Sequence, residues 1–212
     1  MEPIRFHKTE FVTGAASLSQ MPADAGLEVA FAGRSNAGKS SALNTITGIR
    51  SLARTSKTPG RTQQINFFQL NDGQRLVDLP GYGYARAPEA VRDRWLRLIG
   101  QYLQTRRSLA GLVLVMDCRH PLKPFDRQLL QWCREARLPV HILLSKADKL
   151  GRGMSQACLH QVRRALKDGI DDGADKAFDR VTVQLFSSLN RQGLDEARQQ
   201  IETWLCGPGG HD

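Results

Sequence analysis

The sequence predicts an α/β fold: a three-layer domain built on a mostly parallel six-stranded sheet with one antiparallel edge strand. Three observations carry this. Six apolar runs, "LEVAFAG", "INFFQL", "QRLVDLP", "LAGLVLVMD", "LPVHILLSKAD" and "RVTVQLFSS", are bounded by turn residues. Most are apolar on both sides, as in a sheet covered by helices. Stretches of helical period separate most of them, so strand and helix alternate as parallel crossover units require. One pair breaks the alternation. In "INFFQLNDGQRLVDL" two strands are joined directly through Asn71-Asp72-Gly73, a strong hairpin signal that makes one strand antiparallel.

The helical faces follow in order. Val91, Trp95, Leu98, Ile99 and Tyr102 share one side of a helix. Phe125, Leu129 and Trp132 share another; Met154, Cys158, Val162 and Leu166 a third; Leu194, Ala197, Ile201 and Trp204 a fourth. The tryptophans therefore read as core anchors rather than base-stacking platforms. Residues 1–22 carry no clear period and are expected to form an extension packed on a single domain of residues 23–206, with "GPGGHD" (207–212) as a flexible tail. A chain of 212 residues can bury a full core in one domain.

Composition narrows the function. No apolar run approaches the ~20 residues that span a bilayer, and the N-terminus lacks the apolar stretch of a signal peptide, so a cytoplasmic protein with no membrane partner is expected. Cys118, Cys133, Cys158 and Cys206 are widely spaced with no CxxC pair, and read as free thiols rather than zinc ligands or disulfides. The net charge of +9 points to an anionic partner larger than one nucleotide, nucleic acid first. That charge is segregated. Arg50, Arg54, Lys57 and Arg61 lie between Gly48 and Gln64 with no acidic residue among them, and six arginines against Glu89 and Asp93 lie from Arg86 to Arg107. An acidic stretch, "KDGIDDGADKAFD", opposes them.

The chemistry is concentrated in loops that end strands. "GRSNAGKS" (33–40) matches GxxxxGK[ST] between a strand and a helix. Gly33 and Gly38 allow the close approach that turns backbone N–H groups of Arg34, Ser35, Asn36 and Ala37 toward phosphates at a helix N-terminus. Lys39 is expected to reach the β- and γ-phosphates and the Ser40 hydroxyl to bind Mg²⁺. "DLPG" follows at the end of a later strand. Asp78 can hold the magnesium shell, and beyond Leu79 and Pro80 the Gly81 N–H can meet the γ-phosphate. "SKAD" offers Asp148 as a two-point acceptor for guanine N1–H and its exocyclic amine. Lys146 lays its methylene stem over the purine, flanked by Ser145 and Ala147. "FSS" (Phe186, Ser187, Ser188) can present N–H groups to the guanine carbonyl. Asp148 could also be a solvated loop charge and Ser187 or Ser188 an N-cap, but four such loops in this order, each at a strand's carboxyl end, point to GTP and GDP as the expected ligands.

With "GRSNAGKSS", "SKTPGRTQQINFF", "DLPGYGYA", "SKAD" and "FSS" together, the chain resembles the EngB (YsxC/YihA) family of bacterial GTPases, within the translation-factor class of P-loop GTPases. The resemblance implies a lone GTPase domain, expected to act as a monomer in large ribosomal subunit assembly through rRNA and ribosomal proteins. It also implies a need for the protein in normal cell division and septation. The family pattern puts the switch threonine, a magnesium ligand, at Thr62, although Thr58 and Thr55 also fit the sequence alone. It adds Gly60, Arg61, Gln63 and Gln64 to the nucleotide site, with Lys39, Thr62 and Gly81 acting on the γ-phosphate. The family usually has Thr or Asn at position 145, so Ser145 keeps a hydroxyl but loses an amide. Asn36 resembles the asparagine that helps hold K⁺ in potassium-dependent relatives, with bracing of the loop as the alternative.

Many GTPases carry a water-orienting Gln just after DxxG, where this chain has Tyr82. Intrinsic turnover near or below ~10⁻³ s⁻¹ is therefore expected, which suits a switch. Two other readings fit the phosphate loop: a small-molecule kinase, which leaves "SKAD" unexplained, and a nucleic-acid-binding module with a structural nucleotide site.

Overall fold

The computed structural model describes residues 4–53, 64–82, 89–169 and 179–207. The strands are β1 (Glu10–Ala15), β2 (Leu27–Gly33), β3 (Ile65–Asn71), β4 (Gln74–Asp78), β5 (Leu109–Asp117), β6 (Val140–Ser145) and β7 (Val181–Leu185). The helices are α1 (Lys39–Thr47), α2 (Glu89–Thr105), α3 (Pro124–Glu135), α4 (Arg152–Asp168) and α5 (Leu194–Cys206). All seven strands form one sheet in the order β1-β3-β4-β2-β5-β6-β7. The expected six strands are there, and the hairpin between β3 and β4 forms around Gly73, whose φ is +72°.

The seventh strand corrects the sequence reading. Residues 10–15 pair antiparallel with β3, so β3 lies inside the sheet and β1 is its edge. The strand was hidden because its register shifts between Phe11 and Thr13. Phe11 and Val12 are both exposed, which erases the alternation a strand normally shows. Phe11 still meets Phe68 edge-on, with ring centroids 5.8 Å apart.

Alternation along each buried strand sends side chains to two cores. Ala30, Leu112, Leu114, Ile142 and Leu144 face α2, α3 and α4, while Val29, Phe31, Val113, Val115 and Leu143 face α1 and α5. Trp95 is buried in the first core, and Trp132 and Trp204 pack at the margins, as anchors. Phe6 from the N-terminal segment joins the second core, capped by the Arg198 guanidinium 5.4 Å above its ring. Cys118, Cys133 and Cys158 are buried free thiols, and Cys206 is partly exposed.

Two expectations change. Met154 is 62% exposed, because the buried stripe of α4 runs through Ser155, Leu159, Val162 and Leu166 and leaves residue 154 to one side. Arg106, counted above in a basic stretch, is not surface charge. Glu28, fully buried at the start of β2, accepts hydrogen bonds from Arg106 at 2.6 and 3.0 Å, from Arg75 at 3.0 Å and from the Tyr102 hydroxyl at 3.3 Å. Asp24 closes the same end of the sheet by accepting from the Ser108 and Arg107 N–H groups at 2.8 and 3.1 Å. Burial would raise the Asp24 pKa, but these hydrogen bonds and the nearby Arg106 outweigh it and hold the carboxyl well below the usual range.

Removing the Glu28 charge leaves two guanidinium groups with a neutral partner. Glu28→Gln is expected to lower the free energy of unfolding by about 3–5 kcal/mol, as when one member of a buried ion pair is lost. Urea titration followed by circular dichroism measures this, and an unchanged midpoint would show that the network contributes nothing.

Candidate functional site

The opposite end of the sheet gathers the strand-ending loops. β2 ends at Gly33, where a Cβ would lie 2.7 Å from the Val115 carbonyl oxygen of neighbouring β5. Only glycine lets the chain leave the sheet there. Residues 34–38 turn into α1 through Gly38, whose φ of +97° is a left-handed conformation that glycine adopts without the strain a Cβ would bring. The first N–H groups of α1 have no carbonyl one turn back to bond, and they make the helix N-terminus an anion site. Lys39 and Ser40 occupy its first turn. Lys39, 8% exposed, extends across the loop to pair with the Asp78 carboxylate at the end of β4.

The DLPG loop lies against the phosphate loop. Leu79 N–H donates to the Phe31 carbonyl at 2.9 Å, and the Ser35 N–H donates to the Tyr82 carbonyl at 2.7 Å. Gly81 sits over Ser35: a Cβ there would be 3.5 Å from the serine Cα.

The loops at 145–148 and 186–188 are tied to the same crest. Ser145, 3% exposed, has its hydroxyl within reach of the Ala37 carbonyl and, at 3.0 Å, the Met116 carbonyl. Its single proton serves one of the two, so the hydroxyl alone braces the loop without an amide. Lys146, left-handed at φ +59°, donates to the Asn36 carbonyl at 2.6 Å and to Asp117 Oδ2 at 3.0 Å. The Ala147 N–H donates to the Phe186 carbonyl at 3.1 Å, joining "SKAD" to "FSS". Asp148 Oδ1 accepts from the Ser187 hydroxyl at 2.5 Å. That hydroxyl in turn accepts from the N–H groups of Leu189 and Asn190 at 3.2 and 3.4 Å. Ser187 is thereby turned to donate to Asp148, and Ser188 follows it, partly exposed.

Among the predicted site residues, 33–40, 78–81, 145–148 and 186–188 lie at this one end. Gly60, Arg61, Thr62 and Gln63 lie outside the described residues, as do Thr55, Thr58, Arg54 and Lys57. Gln64 is described, and its side chain lies against β1: a Cβ on Gly14 would be 2.6 Å from its Oε1.

Three residues escaped the sequence reading. Asp117 ends β5 and anchors both Lys146 and Arg119, the latter at 2.6 Å. Burial would raise its pKa, but hydrogen bonds from Arg119 and Lys146 hold the carboxyl well below the usual range. Its position at the carboxyl end of a central strand was the available signal. Asn44 of α1 bonds Ala53 through both N–H and C=O, at 2.8 and 3.1 Å, and the Arg50 carbonyl at 3.0 Å. It fixes the start of the basic segment. Asp126 of α3 takes the Tyr82 hydroxyl at 2.6 Å. Neither Asn44 nor Asp126 belongs to a recognisable spacing.

A lysine and hydroxyl at a helix N-terminus, an aspartate at the end of the adjacent parallel strand and the Asp148 carboxylate braced by Ser187 define the class as a P-loop GTPase. A family model described as "50S ribosome-binding GTPase" matches residues 28–146. A "Probable GTP-binding protein EngB" of Salmonella paratyphi C (strain RKS4594) is 53% identical over 205 residues, covering 97% of this chain and 94% of that one. The protein of the same name in Shigella flexneri is 52% identical over the same shares. The chain belongs to the EngB family of GTP-binding proteins, and is a GTPase. In fold it is similar to a crystal structure of a probable GTP-binding protein engB, with a TM-score of 0.65 at 22% identity over 82% of this chain and 96% of that chain. A bacterial selenocysteine-specific elongation factor shares the fold at a TM-score of 0.57 and 19% identity, over 85% of this chain and 29% of its own. The small-molecule kinase reading falls with this membership. No helix among the described residues is long and apolar enough to cross a membrane.

Ser145→Ala would leave the buried Ala37 and Met116 carbonyls without the hydroxyl. It is expected to reduce stability by about 1–3 kcal/mol, with guanine-nucleotide affinity falling alongside. Thermal unfolding and nucleotide titration of the same variant check both.

Proposed function

We propose that this chain binds GTP with Mg²⁺ across the carboxyl edge of the sheet, hydrolyses it slowly, and uses the two nucleotide states as a switch in large ribosomal subunit assembly. It acts as a cytoplasmic monomer that supports normal cell division and septation. The observation that carries the nucleotide reading is Asp148, oriented by Ser187 beside a Lys146 pinned between Asn36 and Asp117. A carboxylate fixed in this way offers guanine two acceptors for N1–H and the exocyclic amine, a pattern adenine cannot supply. The ammonium contacts of Lys146 hold its stem along the place of the purine face.

At the phosphate end, the α1 N-terminus and Lys39 supply positive charge, and Gly81 supplies an N–H for the γ-phosphate. Ser40 and Asp78 are hard oxygen donors that fit magnesium, with Thr62 as a further ligand; the ion, when bound, neutralises charge on the β- and γ-oxygens. The nearness of Asp78 to Lys39 suits a shared phosphate–metal centre. Slow turnover follows from Tyr82. Its hydroxyl is committed to Asp126 inside the core and cannot orient a water at the γ-phosphate. Asn36 has a left-handed backbone, φ +65°, at the crest of the loop, and its side-chain oxygen holds K⁺ beside the phosphates. Faster hydrolysis in potassium than in sodium at matched ionic strength is the expected result, and equal rates would remove this role.

The ribosomal reading is supported by the description of the matching family and by the charge of +9. Arg50 and Arg97 are exposed, whereas Arg106 is withdrawn into the Glu28 network. Among the described residues the RNA-facing charge is assigned to Arg50 and Arg97; the rest of the basic residues from Arg54 to Arg61 and from Arg86 to Arg94 are assigned to it from the sequence alone. Ordering these around GTP, next to Thr62 and Gly81, would gather positive charge on one surface.

Asp148→Asn is expected to weaken GTP binding by about 1.5–3 kcal/mol and to shift preference toward xanthosine nucleotides, whose carbonyl suits the new donor. Titration with both nucleotides decides; equal GTP affinity in wild type and variant would remove the guanine assignment. Cosedimentation with separated ribosomal subunits should favour the large subunit or its precursor under a GTP analogue over GDP. The joint replacement of Arg54 and Lys57 should weaken it and flatten its salt dependence, by about 0.7–0.9 in log–log slope per lost phosphate contact. Sedimentation of that variant like wild type would mean that these charges only face solvent.

A further inference from the structure

Tyr82 is held at both ends. Its ring, 4% exposed, packs tilted against Trp95 and Phe125, with centroids 5.7 and 6.1 Å away. Its hydroxyl donates to Oδ1 of Asp126 at 2.6 Å. Asp126 is itself 2% exposed, and its Oδ2 accepts the Lys123 N–H at 2.9 Å in the first turn of α3. Burial pushes the Asp126 pKa up, and the tyrosine hydroxyl works against that rise. The backbone of the same residue grips the phosphate loop. Its carbonyl takes the Ser35 N–H at 2.7 Å, and it pairs with Arg34 in a parallel bridge. One residue thus joins the phosphate loop, the DLPG loop and α3, and Gly81, the residue before it in the chain, sits over Ser35.

We propose that Tyr82 and Asp126 are a positioning pair that keeps Gly81 docked over the phosphate loop and thereby raises the affinity for nucleoside triphosphate relative to diphosphate. The proposal rests on the nucleotide reading above. A loop already fixed loses little further conformational freedom when ligand arrives. An aligned Gly81 N–H can reward only a ligand that carries a third phosphate. The diphosphate, held by the α1 N-terminus and the base loops, gains nothing from it. Because both partners are buried, the hydrogen bond is shielded from water, and deleting the hydroxyl strands a desolvated carboxylate oxygen.

Tyr82→Phe keeps the ring packing and deletes only the hydroxyl. Calorimetric titration of the full chain with GDP and with a non-hydrolysable GTP analogue, both with Mg²⁺, reads the effect. The expected result is a loss of analogue affinity of about fivefold to tenfold, the scale of one hydrogen bond, with GDP affinity changed less than about twofold. Asp126→Ala should reproduce this ratio, and the double variant should add no further loss, as for a coupled pair. If Asp126→Ala does not fold, the Tyr82→Phe ratio decides alone. Equal loss for both nucleotides, or an unchanged ratio in a variant that unfolds like wild type, overturns the role of the pair. A wild-type chain that binds neither nucleotide overturns the nucleotide reading and this proposal with it.

Discussion

The ammonium of Lys146 lies between the Asn36 carbonyl on the phosphate loop and the Asp117 carboxylate at the end of β5, and the geometry of the site depends on it. Residue 36 and residue 146 belong to loops that leave different strands, and nothing local sets their separation. Ser145 adds its hydroxyl at Ala37 from the same strand end. With both contacts in place, the loop at 145–148 and the loop at 34–38 form one surface. Asp117, kept ionised by Arg119 and Lys146, supplies the fixed negative charge against which the ammonium is oriented. A hydrogen-bonded cluster of this kind stiffens as each member is satisfied.

The two ends of the sheet do different work. At the amino ends of the strands, Glu28, Arg75, Arg106, Tyr102 and Asp24 satisfy one another and seal the core. At the carboxyl ends the strands run out into loops whose backbone N–H groups and short polar side chains remain turned toward one place, as parallel sheets of this topology favour. The sealed end pairs Arg75 and Arg106 with Glu28 and Asp24, so these two arginines are neutralised locally and contribute no free positive charge there.

The sequence by itself determined the loops whose chemistry is local. GxxxxGK[ST] is legible because a tight turn into a helix needs glycines at set positions, and Gly33 and Gly38 meet those needs through a close strand contact and a positive φ. Most of the six expected strands were legible because burial on both faces demands continuous apolar runs, and the hairpin because Asp72-Gly73 fits only a narrow set of turns. The tertiary structure alone decided the edge strand β1, whose bulge and exposure erase its period, and the burial of Arg106, since a charged side chain looks alike in sequence whether solvated or paired. It alone brought Asp126 to Tyr82, Asn44 to Ala53 and Ser187 to Asp148. Hydrogen bonds of that kind join residues from different loops and helices, and no spacing rule along one segment can encode a distance that the whole fold must close.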